Sequence, residues 1–396
     1  MGRFEWGVQC VPGHSRVLCQ ELPITWQVQC TRNRKCRGEE TLKAAVLFAP
    51  NRIDLKTIDD PVAGPGDILV RVSAATICGT DIRIFRGQKT AGVRYPSVLG
   101  HEFAGEIIEA GGHACFEVGD RVGVCPFISC GHCRLCKTDM ENLCTNGTAV
   151  GYEIDGAFAE FIRIPARAVE AGNVRKLPDR MSFEVAALIE PLSCVLNGQN
   201  KVATASGDTV LVMGAGPIGQ MHIRLARLRG VACIIVSEPD ARRRAVALRS
   251  GADTAIDPAS EDVRERVMDE TGGRGADVVI IAIGIPALAR QSTELTAHGG
   301  RISLFAGFSR GETADMDINA IHYQELTVTG AFGLSRRDYD RSFDIIASGQ
   351  IQLSDMITHR FALDDVKQAF AVAESGEAIK VVIGQTPGVG SPQSLT

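Results

Sequence analysis

No stretch of this chain approaches the ~20 consecutive apolar residues that a membrane-spanning helix needs. Positive charge is not in excess: 42 Lys and Arg face 47 Asp and Glu, giving a formal net charge of −5 and a pI near 6.0. That balance provides no general electrostatic attraction to nucleic acid or to an anionic membrane, and neither is expected as a partner. The opening residues, MGRFEWGVQCVPGH, lack the apolar stretch and the small-residue cleavage site of a secretory signal. The cysteines, 13 in all, lack the even count of a disulfide scaffold, and four of them form one tight cluster. That usage fits a reducing compartment, so a cytoplasmic location is expected. No internal repeat is evident.

What is present is an ordinary globular composition, 45% hydrophobic and 22% charged over 396 residues, long enough for two cores. Residues 1–42 stand apart as an extension without periodicity, expected to be poorly ordered. Their four cysteines, Cys10, Cys19, Cys30 and Cys36, are irregularly spaced. Residues 43–190 read as short β-prone segments broken by glycines. Residues 191–333 alternate strand and helix, with near-continuous apolar strands such as DTVLVMG, ACIIVSE and DVVIIAIG. That rhythm predicts a doubly wound parallel sheet of the α/β class. A further helix-and-strand segment covers 334–385, and 386–396 forms a tail.

The cysteine cluster SCGHCRLCKTDMENLC places Cys130, Cys133, Cys136 and Cys144 in a C-x2-C-x2-C-x7-C spacing. Four thiols so close in sequence can converge on one tetrahedral ion. Two disulfides fit poorly, because nested short loops rarely give the required Cα separations. The last gap also differs from the bacterial iron–sulfur run, which ends three residues on in Cys-Pro. A closed zinc site is the expectation. With four thiolates it has no open position, so it clamps structure and performs no chemistry; Arg134 and Lys137 can ease its negative charge.

VLVMGAGPIG sets Gly214, Gly216 and Gly219 in a G-x-G-x-x-G turn, with Pro217 and Ile218 inside it, between a strand and a helix. The first glycine permits the tight turn, the second admits a pyrophosphate, and the third allows close helix–strand packing. The helix N-terminus favours phosphate charge. Glu238, at the tip of the next strand, suits a ribose diol and repels a 2′-phosphate, which points to NAD. Arg242, Arg243 and Arg244 follow, either as a 2′-phosphate site or as the solvated face of a helix.

Two further motifs, TICGTDIRIF and VLGHEFAGEI, contribute Cys78 and the pair His101–Glu102. Together with the four-cysteine loop and the glycine turn, in this order, they make residues 43–384 resemble the zinc-dependent medium-chain dehydrogenase family. The resemblance implies a β-rich GroES-like catalytic domain carrying a structural-zinc lobe, to which residues 334–385 return, around a central Rossmann domain that binds NAD. It also implies one catalytic and one structural zinc. By motif, Cys78, His101 and Glu102 correspond to catalytic zinc ligands. Glu190 in ALIEPLSC matches a Glu-Pro signature of the polyol and threonine branches. Cys194, one turn beyond, reads as a small buried hydrophobe.

One thiolate, one neutral imidazole and one carboxylate bring Zn²⁺ to net zero and preserve its Lewis acidity. A permanent fourth ligand in Glu190 would make the site negative. Glu190 is therefore expected to bond the metal's water or hydroxyl, ligating only without substrate. Thr80 is implied as a proton relay, or is a plain turn residue, and Arg360 in ITHRF is implied to reach the cofactor phosphates. Arg83 stands where the threonine branch usually carries histidine, so a sorbitol or L-iditol 2-dehydrogenase-like polyol substrate is expected. L-threonine and a sugar-phosphate alcohol are the alternatives, the latter from Arg83, Arg86 and Arg94. A non-catalytic NAD- or zinc-binding protein is the alternative of another class; the complete set of Cys78, His101, Glu102 and Glu190 argues against it, since binding NAD requires none of them. Phe85 and Phe332 are read as pocket walls or core. ELTVTGAFG is expected to be an edge strand, and in this family such strands pair between subunits, implying a homodimer or homotetramer.

Overall fold

The computed structural model describes residues 41–309 and 311–384. The four cysteines of the N-terminal extension and the 386–396 tail lie outside the described residues.

A six-stranded parallel sheet occupies the centre of the chain, and its middle strands, Thr209–Met213, Cys233–Ser237 and Ala276–Ile281, are mostly buried and rich in Val and Ile. Its spatial order is Thr254–Ile256, Cys233–Ser237, Thr209–Met213, Ala276–Ile281, Thr296–Leu304 and Thr327–Gly330. Numbered along the chain this is 3-2-1-4-5-6, the doubly wound order in which dinucleotides bind at the reversal point beside the first strand. Every residue of Thr209–Met213 is buried, as a strand covered on both faces by helices requires. Among the described residues Thr327–Gly330, expected to be an edge strand, pairs only with Thr296–Leu304 and lies at the edge.

The flanking regions build a seven-stranded sheet that is mainly antiparallel. Its path is Val174–Lys176, Arg121–Val124, Glu102–Glu109, Ile68–Thr76, Lys380–Gly384 and Ile357–Ala362, with Phe161–Ile164 also paired to Ile68–Thr76. Strands from both ends of the chain thus share one sheet and one core, in which Val70, Phe103, Ile107, Phe158 and Phe370 are buried together. A smaller three-stranded sheet holds Thr41–Ala49, Arg52–Asp59 and Ser97–Val98. The helix Ile189–Lys201 leads from the antiparallel part into the parallel part and is buried on most of its surface. No helix among the described residues is long and apolar enough to cross a membrane.

Candidate metal and cofactor site

Strand register assembles the first donor set. Thr76, the last residue of Ile68–Thr76, lies opposite Glu102 on one side and Val382 on the other. Cys78 follows two residues later and His101 directly precedes Glu102, so all three meet at one end of the sheet. Their ligand atoms, one sulfur, one imidazole nitrogen and one carboxylate oxygen, lie within 4.8 Å of one another. His101 and Glu102 are buried and Cys78 is half-buried. Glu102 Oε1 is buried without a hydrogen-bond partner. Mixed S, N and O donors with an unsatisfied buried oxygen suit a Zn²⁺ ion.

Four residues that sequence reasoning assigned no role hold these donors. Asp81 is fully buried; its Oδ2 accepts from the Cys78 N–H at 2.9 Å, and its Oδ1 lies 3.3 Å from His101 Nδ1. One carboxylate therefore positions two donors, and the partner at Nδ1 leaves Nε2 as the nitrogen for a cation. Lys380, also buried, places Nζ 2.5 Å from Glu102 Oε2, and Thr76 Oγ1 donates to the same oxygen. Tyr152 sets its hydroxyl 3.3 Å from His101 Nε2. Asp81 had a sequence signal, since an acid three residues after a helix-capping position completes a capping box. Lys380 and Tyr152 had none.

The electrostatics are those of a site built for positive charge. Burial alone would lower the His101 pKa, but the Asp81 carboxylate and Cys78 sulfur outweigh it and hold the imidazole well above its usual value. Burial would likewise depress Lys380, yet Glu102 and Cys78 raise it. Asp81 and Lys380 cancel in charge, so the count of one thiolate, one carboxylate and one neutral imidazole around Zn²⁺ still closes at zero.

Glu190 sits in the first turn of Ile189–Lys201, buried. It lies outside the three-atom donor set, although the charges of His101, Glu102 and Lys380 act on it. Burial, reinforced by Glu102, pushes its carboxyl up to about 7. Cys194 directs its Sγ toward Glu190 Oε1 at 3.6 Å, and burial beside that carboxylate raises its thiol well above the normal range. Thr80 gives its N–H to Cys78 Sγ at 3.4 Å from the first helical turn.

The four cysteines of the loop also converge, with all sulfurs within 4.8 Å. Cys130–Cys136, Cys133–Cys136 and Cys133–Cys144 are separated by 3.9, 3.5 and 3.8 Å. A tetrahedron with Zn–S bonds of about 2.3 Å has edges of about 3.8 Å, so the donors fit the ion. Backbone N–H groups of His132 and Cys133 hold the Cys130 thiol down to about 6. The lobe is tied to the rest of the chain by Asn142 Nδ2, which donates to Phe332 O at 2.7 Å, and by Glu141, which accepts from the Arg336 N–H.

At the glycine turn, Gly214 has φ of +98°, a conformation suited to glycine. A Cβ at Gly219 would overlap Gly214 O, while at Gly216 the nearest atom would be Arg243 Nη1 at 4.0 Å. The second glycine thus faces open space at the start of Pro217–Leu228, a cradle that fits a pyrophosphate. Glu238 is buried; Oε2 accepts from Ala215 N–H at 2.7 Å and Oε1 from Asp240 N–H at 3.0 Å. The three arginines separate. Arg242 is exposed and paired with Asp240, Arg244 is held by Asp257 and the Glu238 carbonyl, and Arg243 bonds Gly376 O at 2.7 Å beside the turn.

Other expectations shift. Arg360 is engaged bidentately by Glu184 at 2.8 and 2.9 Å instead of being left free for a phosphate. Phe85 packs against Phe370, ring centroids 5.4 Å apart, on the fringe of the core. Phe332 is not core: it is 69% exposed, and its carbonyl accepts from Asn142 and Asn197. Following an edge strand, its ring has no second layer to pack on.

Residues 64–179 match the alcohol dehydrogenase GroES-like domain family, and residues 217–348 match the zinc-binding dehydrogenase family. Over 338 residues the chain is 37% identical to L-threonine 3-dehydrogenase of Pyrococcus furiosus, covering 83% of this chain and 94% of the relative. A zinc-binding dehydrogenase from Sinorhizobium meliloti 1021, bound to NADP, has a TM-score of 0.82 at 32% identity over 87% of this chain and 100% of its own. An alcohol dehydrogenase from E. coli CFT073, complexed with NADH, has a TM-score of 0.80 at 31% identity, again over 87% and 100%.

Proposed function

The chain belongs to the zinc-dependent medium-chain dehydrogenase family, and from that premise we propose that it oxidises a secondary alcohol whose neighbouring carbon carries a second polar group. L-threonine is the first reading, supported by the Pyrococcus relative. A polyol is the second, favoured by Arg83 at the position where the threonine branch usually has histidine. The observation that carries the proposal is the convergence of Cys78, His101 and Glu102 within 4.8 Å. They lie next to the helix Gly79–Phe85, whose Arg83 reaches Phe308 O beyond the fifth strand of the parallel sheet.

When bound, zinc supplies Lewis acidity toward an alcohol oxygen and the nicotinamide ring accepts hydride. Cys78, His101 and Glu102 are proposed to hold the catalytic ion, with Asp81 fixing the imidazole and Lys380 with Thr76 fixing the carboxylate. Glu190, with its carboxyl at about 7, is suited to take or return a proton beside them, and Thr80 Oγ1 is the proposed relay toward solvent. Cys130, Cys133, Cys136 and Cys144 hold the structural ion. Gly214, Gly216, Pro217, Ile218 and Gly219 cradle the pyrophosphate with Arg243 beside them. Glu238 at the strand tip supports NAD over NADP. Thr327–Gly330, with exposed Tyr323 and Phe332 nearby, is the proposed subunit interface of a homo-oligomer.

The test is metal analysis together with NADH formation from L-threonine, sorbitol and 2-butanol, repeated with NADP. About two zinc ions per chain and alcohol-dependent NAD reduction, greatest with L-threonine, are expected. Fully metallated protein that reduces no NAD with any secondary alcohol overturns the proposal.

A further inference from the structure

Four cations lie between the Cys78 and His101 motifs near this site, and two of them are neutralised. Arg86 pairs with Glu374 and Arg94 with Asp155 at 2.8 Å. Lys89 and Arg83 are different: among the described residues neither has a carboxylate within ion-pair distance. Lys89 is half-buried; Nζ donates to Ala91 O at 2.9 Å and rests 4.5 Å above the centre of the Tyr152 ring. Arg83, also half-buried, donates to Phe308 O at 3.1 Å.

The Lys89 N–H donates to Arg83 O at 3.2 Å, so both side chains leave one turn, and withdrawing two such cations from water is unfavourable unless an anion joins them. Burial lowers the Lys89 pKa, Glu153 partly opposes this, and the Arg83 charge adds to the lowering. Glu153 does not close the pair: its Oε2 accepts from Ala149 N–H at 2.8 Å. Tyr152 joins the ammonium to the metal site, since its ring carries Lys89 and its hydroxyl meets His101 Nε2 at 3.3 Å. One aromatic ring therefore separates the unpaired positive charge from a metal-site donor, a span of a few carbon atoms.

We propose that Lys89 and Arg83 form a subsite for an oxyanion, a carboxylate or a phosphate monoester, carried by the substrate a few carbons from the hydroxyl that is oxidised. The subsite rests on the alcohol-oxidation reading above and narrows it: an anionic alcohol is preferred over a neutral one. A carboxylate accepts charge-assisted hydrogen bonds from the ammonium and the guanidinium, and a phosphate ester offers the same acceptors.

The test has two arms, on zinc-loaded full-length protein. Calorimetric titration with acetate and with inorganic phosphate reads the subsite without turnover. Lys89→Met is expected to weaken the binding of at least one probe about tenfold or more, and Lys89→Arg to restore most of it. In the kinetic arm, kcat/KM is compared for L-threonine and 3-hydroxybutyrate, for sorbitol 6-phosphate, and for neutral sorbitol and 2-butanol. The anionic-to-neutral ratio is expected to fall about tenfold to hundredfold in Lys89→Met, mainly through KM, with zinc content, melting temperature and NADH affinity as in the unaltered protein. Arg83→Met is expected to shift the ratio in the same direction. The compound that loses most identifies the oxyanion as carboxylate or phosphate. Equal losses on anionic and neutral alcohols, or probe binding indifferent to Lys89, overturn the subsite. If no alcohol is oxidised but probe binding depends on Lys89, the alcohol-oxidation reading fails and the anion site stands.

Discussion

The ammonium of Lys380 and the carboxylate of Glu102 meet at 2.5 Å with both side chains buried, on strands separated by the one that carries Thr76. Thr76 opposes Glu102 on one side and Val382 on the other, and Lys380, two residues from Val382, points to the same face. The pair fixes one oxygen of Glu102 and leaves the other for a cation.

Replacing Lys380 by Met leaves Glu102 as an uncompensated buried charge, a change that costs about 3–5 kcal/mol in such pairs. Zinc beside Glu102 offsets part of that loss. The melting temperature of Lys380→Met is therefore expected to fall more in chelator-treated protein than in zinc-loaded protein. Equal falls in both states would show that the pair acts independently of the metal.

Asp81→Asn keeps the shape and much of the cap on Cys78 but loses the anionic partner of His101 Nδ1. Catalytic-zinc affinity or kcat/KM is expected to drop about 10–100-fold, with little change in secondary structure. Competition with a zinc chelator, alongside circular dichroism, checks both parts.

Cys133→Ser removes the sulfur that contacts both Cys136 and Cys144. Bound zinc is expected to fall from about two ions per chain to about one, with a lower melting temperature, because a closed four-thiolate site contributes folding energy. The bonds from Asn142 and Glu141 to Phe332 and Arg336 transmit the loss, so amide exchange near 332–337 should accelerate.

His222 predicts acid sensitivity unrelated to zinc. Burial holds its imidazole down to about 3, with Arg229 adding repulsion. It packs edge-on against Phe305 at 4.7 Å, and its Nε2 has no hydrogen-bond partner. An unfolded chain binds a proton on this residue below about pH 6.5 that the folded chain refuses. Stability therefore falls as pH drops from about 6.5 toward 3, by about 2 kcal/mol at pH 5. In His222→Gln the difference in unfolding free energy between pH 7 and pH 5 is expected to shrink by about that amount, measured by urea denaturation.

The doubly wound sheet was legible because strands such as Thr209–Met213, Cys233–Ser237 and Ala276–Ile281 are continuous apolar runs with helix signals between them, and both depend on neighbours in sequence; the short, half-buried Thr254–Ile256 carried no such run. The motif residues of the site were legible for a similar reason: each motif is a short turn with an obligatory residue type. Arg360 shows where such reading ends. Its motif, ITHRF, is legible in the sequence, but Glu184 comes from a distant helix, and the pairing of the two side chains depends on how that helix docks.

By itself the sequence determined the four-thiol lobe, the glycine turn before Pro217–Leu228, and the nature of the donors at Cys78, His101 and Glu102, since short spacing limits what those residues can do. Only the tertiary structure decided that Lys380 and Asp81 hold those donors, that Arg86 and Arg94 are paired, and that Lys89 faces Tyr152 with no carboxylate at ion-pair distance among the described residues. These relationships depend on strand register and on the burial of charge, and both are properties of the packed chain.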